Sequence, residues 1–277
     1  MKIGAIIQAR TSSIRLPQKV LRKLPYDSDI TVLQQVIRRT KKSKSLDEVI
    51  VATTVDKEDE IITEIAEKEE VKWFRGSRDD VLSRYYRAAK ENGLDIIIRI
   101  TSDCPCIDWD IIDNTVSYHL KSKVDYTSNS ITKPFPLGLG VEVINFEALE
   151  KSFKNAEDAY YKEHVTTYIR DNPNIFRIGD YKAPEIYFHP EIRLTLDTIH
   201  DYALLCYIFD SLYYKNEFFS SLDALNLLIK KEWPLFINKH EVQKKRFSNL
   251  QEEIKEAIKL LEVYGFSKLK DFVKRYL

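Results

Sequence analysis

The front half of the chain alternates continuous apolar runs with segments whose apolar residues recur at helical spacing. Four segments are predicted strands: "IGAIIQA" at 3–9, "DEVIVATT" at 47–54, "VKWFRG" at 71–76 and "LDIIIRIT" at 94–101. The continuous apolar runs of the first and the fourth predict strands that are buried, the first of them covered on both faces. Between them, "TVLQQVIRRTKK" at 31–42 and "SRDDVLSRYYRAAKENG" at 77–93 place apolar residues on one helical face. Strands that alternate with helices predict crossover units and a mostly parallel sheet.

The pattern changes in the second half. "VDYTSNSITKPFPLGLGVEVIN" at 124–145 indicates a strand, an ordered loop and a return strand, with antiparallel pairing left open. The segments 145–153 and 157–172 read as helices, "EIRLTLDT" at 191–198 as a late strand, and 199–214 as a helix behind it. Together these elements predict a three-layer α/β/α, Rossmann-like fold.

The C-terminal part is predicted to be helical only. From residue 220 onward no strand pattern recurs, and Leu250, Ile254, Ile258 and Leu261 form an amphipathic stripe. We therefore expect two parts, an α/β domain over 1–219 and a helical extension over 220–277. The extension would cap the core or form a homodimer.

Composition narrows the class of protein. Lys+Arg and Asp+Glu are both 43, so the net charge is near zero. This argues against a protein that binds nucleic acid without regard to base sequence, because such a protein needs an excess of basic residues. No apolar run reaches the roughly 18 residues that a membrane span requires. The 3 cysteines give no disulfide framework, so we expect a cytoplasmic protein without nucleic-acid or membrane partners.

The loop after the first strand carries the clearest chemistry. "GAIIQARTSSIRLPQKVL" at 4–21 places Arg10, Arg15 and Lys19 directly after a core strand. Ligands of open parallel sheets bind beyond the carboxyl ends of the strands. Arginine forks match phosphate oxygens, and lysine adds a compact charge. The loop lacks both the GxxxxGK[ST] and the GxGxxG patterns, so it predicts a phosphate site of another kind.

This loop resembles the signature loop of the sugar nucleotidyltransferases. It is most similar to the SpsF-like spore coat polysaccharide cytidylyltransferases, and more distantly to the CMP-KDO and CMP-sialate synthetases. The likeness continues through "LDEVIVATT", "FRGSRDDVLSRYYRAAKENG", "IIRITSDCPCID", "DYTSN", "PLGLGVEV", "EHVTTYIRDNP", "FRIG" and "IRLTLDTIHDY", over roughly residues 1–210. The family loop usually has glycine where this chain has Ser12 and Gln18, and D-T-P-E-D where this chain reads "DTIHDY".

The resemblance implies a Mg²⁺-dependent enzyme of cell-surface polysaccharide or glycan synthesis. It would transfer CMP from CTP to a sugar, sugar acid or sugar-like phosphate and release pyrophosphate. Arg10, Arg15 and Lys19 would be its catalytic cations. The residues implied to bind the nucleotide are Gln8, Ala9, Arg10, Ser13, Arg15, Lys19, Arg75, Gly76 and Ser77.

Two aspartates are candidate metal ligands. Asp103 follows "LDIIIRIT" and Asp197 ends "EIRLTLDT", so both are expected at the carboxyl edge of the sheet. Mg²⁺ prefers one or two carboxylates together with phosphate oxygens, and the matching aspartates of the resembled synthetases bind metal. The alternative for each is that it caps the following turn or helix.

The acceptor side is predicted from the resemblance and is less specific. Asn129, Glu142 and His164 are candidate contacts for the acceptor, and each also has an ordinary structural interpretation. Arg84 is expected either to face the crevice or to form an i,i+4 ion pair with Asp80.

Two other functions stay open. A glycosyltransferase of GT-A type would use Asp108 and Asp110 of "DWD" as its metal motif, although their position favours the start of a helix. A non-catalytic nucleotide-binding subunit would bind CTP without releasing pyrophosphate.

Overall fold

A seven-stranded sheet forms the centre of the protein. The computed structural model describes residues 1–241 and 249–276. The strands are β1 (Ile3–Gln8), β2 (Glu48–Thr54), β3 (Lys72–Gly76), β4 (Ile96–Thr101), β5 (Tyr126–Ser128), β6 (Glu142–Asn145) and β7 (Ile178–Asp180). Their order in the sheet is β3-β2-β1-β4-β6-β5-β7, and only β6 runs antiparallel to its neighbours. The predicted mostly parallel sheet is therefore confirmed, and its return strand is antiparallel.

Helices cover both faces of this sheet. Within residues 1–239 the helices are α1 (Val32–Thr40), α2 (Glu60–Lys68), α3 (Val81–Glu91), α4 (Trp109–Ser122), α5 (Phe146–Asn155), α6 (Ala159–Glu163), α7 (Thr167–Asp171), α8 (Ile199–Leu212) and α9 (Ser221–Lys231). The described part of residues 240–277 contains α10 (Leu250–Val263) and α11 (Ser267–Val273). The segment 157–172, predicted as one helix, is therefore two short ones.

Successive residues of the central strands enter two separate cores. On β1, Ile7 belongs to the core that also holds residues of α1, α4 and α8, whereas Ile6 belongs to the core that also holds residues of α3, α5 and α7. Because side chains alternate along a strand, a sheet covered on both faces needs apolar residues at consecutive positions. This explains the continuous apolar runs and confirms the three-layer arrangement.

The late strand predicted at 191–198 is wrong. In this segment only Arg193 pairs, in an isolated bridge with Leu137. The amide of Leu196 donates instead to the carbonyl of Asp103, at 2.8 Å. The segment therefore runs beside the carboxyl edge of the sheet, and that path carries Asp197 to the site.

The chain separates into two compact units, Met1–Lys239 and His240–Leu277. Helix α9 buries Leu225 and Leu228 in the core of the first unit. The functional boundary expected at residue 219 and the homodimer both stay predictions. Residues 242–248 and residue 277 of the expected helical extension lie outside the described residues. Among the described helices, none combines the length and apolar character that crossing a membrane requires.

Candidate active site

The loop after β1 is fixed at its start by a buried carboxylate. The backbone amide and the hydroxyl of Thr11 both donate to Asp59 Oδ1, each at 2.7 Å. The hydroxyl of Thr54 donates to the other oxygen of Asp59, which is 1% exposed. Asp59 is not predictable from the sequence, because no local pattern distinguishes it from the other acidic residues around it.

The same loop then turns back at Gln18. The amides of Ser13 and Gln18 both donate to the carbonyl of Thr11, at 2.9 Å. Gln18 has a φ of 55°, in the left-handed region that favours glycine. Gln18 therefore adopts a backbone conformation that suits glycine, and glycine is the residue that the family resembled in sequence usually has at this position. The turn leads into a short 3-10 helix, Lys19–Leu21.

Lys19 joins the two candidate metal ligands. Its Nζ lies 2.6 Å from Asp103 Oδ2 and 2.8 Å from Asp197 Oδ1. All three side chains are mostly buried, with the Lys19 side chain 13% exposed. Burial lowers the pKa of Lys19, but the two carboxylates outweigh it and hold this pKa above its ordinary value.

Two arginines contact Oδ2 of Asp197, the carboxylate oxygen that does not bind Lys19. The guanidinium groups of Arg15 and Arg193 lie 2.9 and 3.0 Å from Asp197 Oδ2. Burial raises the pKa of Asp197, but the charges of Lys19, Arg15 and Arg193 lower it further, so its pKa lies below the ordinary value. Asp197 is therefore an ionised carboxylate in a cationic setting.

Asp103 and Asp197 suit a hard divalent cation. One oxygen of each lies within 3 Å of a single cationic nitrogen, so the two carboxylates converge on one position. Mg²⁺ takes oxygen ligands and is commonly held by one or two carboxylates together with substrate phosphates. The described residues contain no cluster of three or more His, Cys, Asp or Glu side chains that would form a fuller metal cage.

Gln8, Ala9 and Arg10 of the loop form no hydrogen bond or ion pair with this cluster in the described part of the chain. Arg10 is half-exposed, and its side chain has no hydrogen bond or ion pair with any described residue. The Gln8 side-chain oxygen is buried without a hydrogen-bond partner. Ala9 extends the ladder through its amide, which donates to the carbonyl of Ala52 at 3.1 Å.

The residues at the end of β3 stabilise the local backbone. Arg75 donates to the carbonyls of Thr54 and Asp56, at 2.9 and 3.0 Å. The hydroxyl of the exposed Ser77 accepts from the amide of Asp80 at 3.1 Å. Contact of Arg75 and Ser77 with a nucleotide stays a prediction.

Gly76 makes room for a buried arginine. A Cβ at this position would lie 2.7 Å from Arg84 Cγ. Arg84 is 2% exposed, and its Nε and one terminal nitrogen have no hydrogen-bond partner. The i,i+4 ion pair with Asp80 is not formed, because Asp80 caps α3 by accepting from the amide of Ser83. Burial, with a smaller contribution from Arg10, lowers the pKa of Arg84.

The three residues predicted to contact the acceptor substrate differ in how far their side chains are already engaged within the protein. Glu142 accepts hydrogen bonds from Arg99, Tyr126 and Thr166. Burial would raise the pKa of Glu142, but Arg99 and these donors hold it below the ordinary value. Glu142 is thus a fully bonded carboxylate.

Asn129 is completely buried and holds a loop. Its amide nitrogen donates to the carbonyl of Leu139 at 2.9 Å, and its oxygen accepts from the amide of Val141 at 2.8 Å. A contact with an acceptor would require this clamp to open. His164 is exposed at the end of α6, with its ring 4.5 Å from that of Tyr160. Both acceptor contacts stay predictions.

The "DWD" string begins a helix, as its position in the sequence indicated. Asp108 caps α4 by accepting from the amide of Asp110 at 2.9 Å. Its second oxygen accepts from the amide and hydroxyl of Ser221, each at 2.7 Å, and the residue is 1% exposed. The cap interpretation is confirmed, and Asp108 is not placed to serve a glycosyltransferase as a metal ligand.

Comparison with known proteins agrees with this arrangement. A protein-family model described as Cytidylyltransferase matches residues 4–219. Uncharacterized protein MJ1063 of Methanocaldococcus jannaschii is 50% identical over 204 residues, which cover 74% of this chain and 82% of that protein. Spore coat polysaccharide biosynthesis protein SpsF of Bacillus subtilis is 36% identical over 199 residues, which cover 71% of this chain and 82% of that protein.

A solved structure extends the likeness to three dimensions. A cytidylyltransferase from Leptospira borgpetersenii matches with a TM-score of 0.79 and 33% identity, covering 88% of this chain and 100% of the other. The resemblance stated from the sequence is therefore confirmed. Sharing sequence over most of its length with these proteins, the chain belongs to the cytidylyltransferase family and is a nucleotidyltransferase.

Proposed function

We propose that the protein transfers CMP from CTP to an oxygen of a sugar, sugar acid or sugar-like phosphate, with release of pyrophosphate. The observation that carries this proposal is the contact of Lys19 with both Asp103 and Asp197. It joins the cationic loop to the two acidic residues at one point, as a metal–triphosphate site requires. The family description supports CTP as the donor, and the name of the SpsF relative supports a role in polysaccharide synthesis.

The cations of the loop would bind the triphosphate. In the reaction, an acceptor oxygen attacks the α-phosphorus, and the bond to the pyrophosphate oxygen breaks. Negative charge accumulates on the departing pyrophosphate. Arg10, Arg15 and Lys19 would donate hydrogen bonds to these oxygens, and donors placed in advance stabilise such charge strongly in a partly buried site.

Asp103 and Asp197 would hold Mg²⁺. When bound, the ion would neutralise phosphate charge and keep the reacting groups in line. Lys19 lies at the position where the two carboxylates converge, so Lys19 and the ion would compete for the same oxygens. A triphosphate resolves this competition, because its oxygens offer Lys19 another anionic partner.

The acceptor would carry its own ionised group. Glu142, with three donors and a lowered pKa, is a poor proton acceptor near neutral pH. A phosphate acceptor attacks with an oxygen that is already ionised at that pH and needs no general base. A sugar phosphate therefore fits this requirement better than the neutral hydroxyl of a sugar or a sugar acid.

Ligand binding and product formation test the proposal together. Thermal unfolding with each of the four nucleoside triphosphates and Mg²⁺ should show stabilisation by CTP, amounting to about 2.7 kcal/mol at 100 times Kd. Pyrophosphate release is then measured over a panel of sugar acids and sugar phosphates. Asp103→Asn should abolish release, whereas Asp110→Asn, which changes a residue at the start of α4, should not. Absence of stabilisation by CTP would reject the donor, and full activity of Asp103→Asn would reject the site.

A further inference from the structure

Behind Asp197 lies a buried ion pair between Arg193 and Asp201. Asp201 is completely buried in the first turn of α8. Arg193 donates to it through Nε at 2.7 Å and through a terminal nitrogen at 3.0 Å. A two-point contact between a planar guanidinium and a carboxylate fixes the orientation of both groups.

This pair holds Asp197 from two sides. The backbone amide of Asp197 donates to Asp201 Oδ2 at 2.9 Å. The terminal nitrogen of Arg193 donates to Asp197 Oδ2 at 3.0 Å. Oδ2 is thereby turned toward the arginines, and Oδ1 is left facing Lys19. The segment that carries Asp197 has no strand ladder of its own, so these contacts take the place of one.

A third residue enters the pair from outside the span of the family model. Asn238 donates to Asp201 Oδ1 at 3.0 Å and to the carbonyl of Arg193 at 3.1 Å. It is 6% exposed and follows the short 3-10 helix Trp233–Phe236. The family model ends at residue 219.

We propose that Asp201, Arg193 and Asn238 are positioning residues that orient Asp197 toward the divalent cation of the nucleotide complex. The proposal rests on the proposed function and adds to it a role for the segment after residue 219. Asn238 makes this segment part of the active site, because its amide donates both to the carboxylate of Asp201 and to the backbone carbonyl of Arg193.

The physical reason is preorganisation. A carboxylate on a segment without strand pairing can rotate, and ordering it upon binding costs affinity. Partners that orient a metal ligand typically contribute 10–100-fold to metal affinity. Loss of the Asn238 amide leaves Asp201 Oδ1 with Arg193 alone and leaves the carbonyl of Arg193 without this donor.

The experiment measures metal binding directly. Mn²⁺ is titrated into the full-length chain saturated with the α,β-methylene analogue of CTP, and free Mn²⁺ is followed by electron paramagnetic resonance. Asn238→Leu has a similar volume and lacks the amide, and we expect its Kd for Mn²⁺ to rise about 10-fold or more. Asn155→Leu is the matched control, because among the described residues the Asn155 amide donates only to the carbonyl of the exposed Lys151, and we expect wild-type affinity.

Two further measurements distinguish a positioning role from a general loss of structure. All titrations are made well below the unfolding temperature of each variant, with near-ultraviolet circular dichroism as the check on folding. Arg193→Lys keeps the charge and loses the fork, so its Kd should rise as well; if Asn238→Leu does not fold, this variant and Asn238→Ala decide. Wild-type affinity in a folded Asn238 or Arg193 variant would overturn the positioning role alone. A wild-type protein that binds no Mn²⁺ with the analogue would overturn the proposed function beneath it.

Discussion

The Lys19 ammonium lies 2.8 Å from Asp197 Oδ1, although 178 residues separate them in the chain. Lys19 follows the loop after the first strand, and Asp197 comes directly before Thr198, which caps the start of α8. Their contact means that the candidate site is complete only when both halves of the α/β unit are folded.

Replacing Lys19 by glutamine should remove the cation at this junction. Asp103 and Asp197 would then face each other without the cation that bridges them, and the departing pyrophosphate would lose a donor. Loss of one such donor typically costs 10²–10³ in kcat, and we expect pyrophosphate release to fall by at least ~100-fold.

The matched control is Lys23→Gln. Lys23 lies on the same segment, but its ammonium contacts the exposed Asp29 at 2.8 Å. This variant should keep wild-type kcat. Equal activity of the Lys19 and Lys23 variants would contradict the role assigned to Lys19.

The stability of the protein should depend on pH through Asp197. Its pKa is lowered in the folded state, so the unfolded chain takes up a proton first as the pH falls. The stabilisation is complete above the unfolded pKa, about 3.9, and is lost as the pH falls through the lower folded pKa. Urea unfolding of wild type and Asp197→Asn should therefore differ fully near pH 6, and the difference should begin to shrink only as the pH falls below about 4. If the difference in free energy of unfolding between the two proteins grew as the pH fell, the pKa of Asp197 would be raised rather than lowered in the folded state.

Gln18→Gly should stabilise the protein. Gln18 has a φ of 55°, which costs a side chain with a Cβ roughly 1 kcal/mol relative to glycine. Glycine loses part of this gain through greater freedom of the unfolded chain, so we expect a net increase of about 0.5 kcal/mol in the free energy of unfolding. Gln18→Ala is the control, because it removes the side chain and keeps the backbone strain. Stabilisation by alanine as large as by glycine would assign the effect to the side chain.

Arg84→Met should also stabilise the protein. Arg84 is 2% exposed, and two of its guanidinium nitrogens have no partner among the described residues. Asp59 and Asp80 attract Arg84 without forming an ion pair with it among the described residues, so this buried cation keeps a desolvation cost of a few kcal/mol, and methionine has a similar length without the charge. We expect the free energy of unfolding to rise by roughly 1–3 kcal/mol, measured by urea denaturation. Arg84→Lys retains a buried charge and should not stabilise; a loss of stability in Arg84→Met would show that its charge is compensated.

Much of the fold followed from local pattern. The runs that became β1, β2 and β4 were readable because burial on both faces demands apolar residues at consecutive positions. The strand expected at 191–198 failed for the complementary reason. Its alternating residues fit a strand, but Leu196 bonds the carbonyl of Asp103 rather than a neighbouring strand.

By itself, the sequence determined the sheet, the cationic loop and the identity of two acidic residues, because periodicity and residue chemistry are local properties. Only the tertiary structure decided which oxygen of Asp197 faces Lys19, that Asp59 anchors the loop, and that Asn238 supports the site. These relations join residues far apart in the chain, and their geometry depends on how whole elements pack, which no short stretch of sequence encodes.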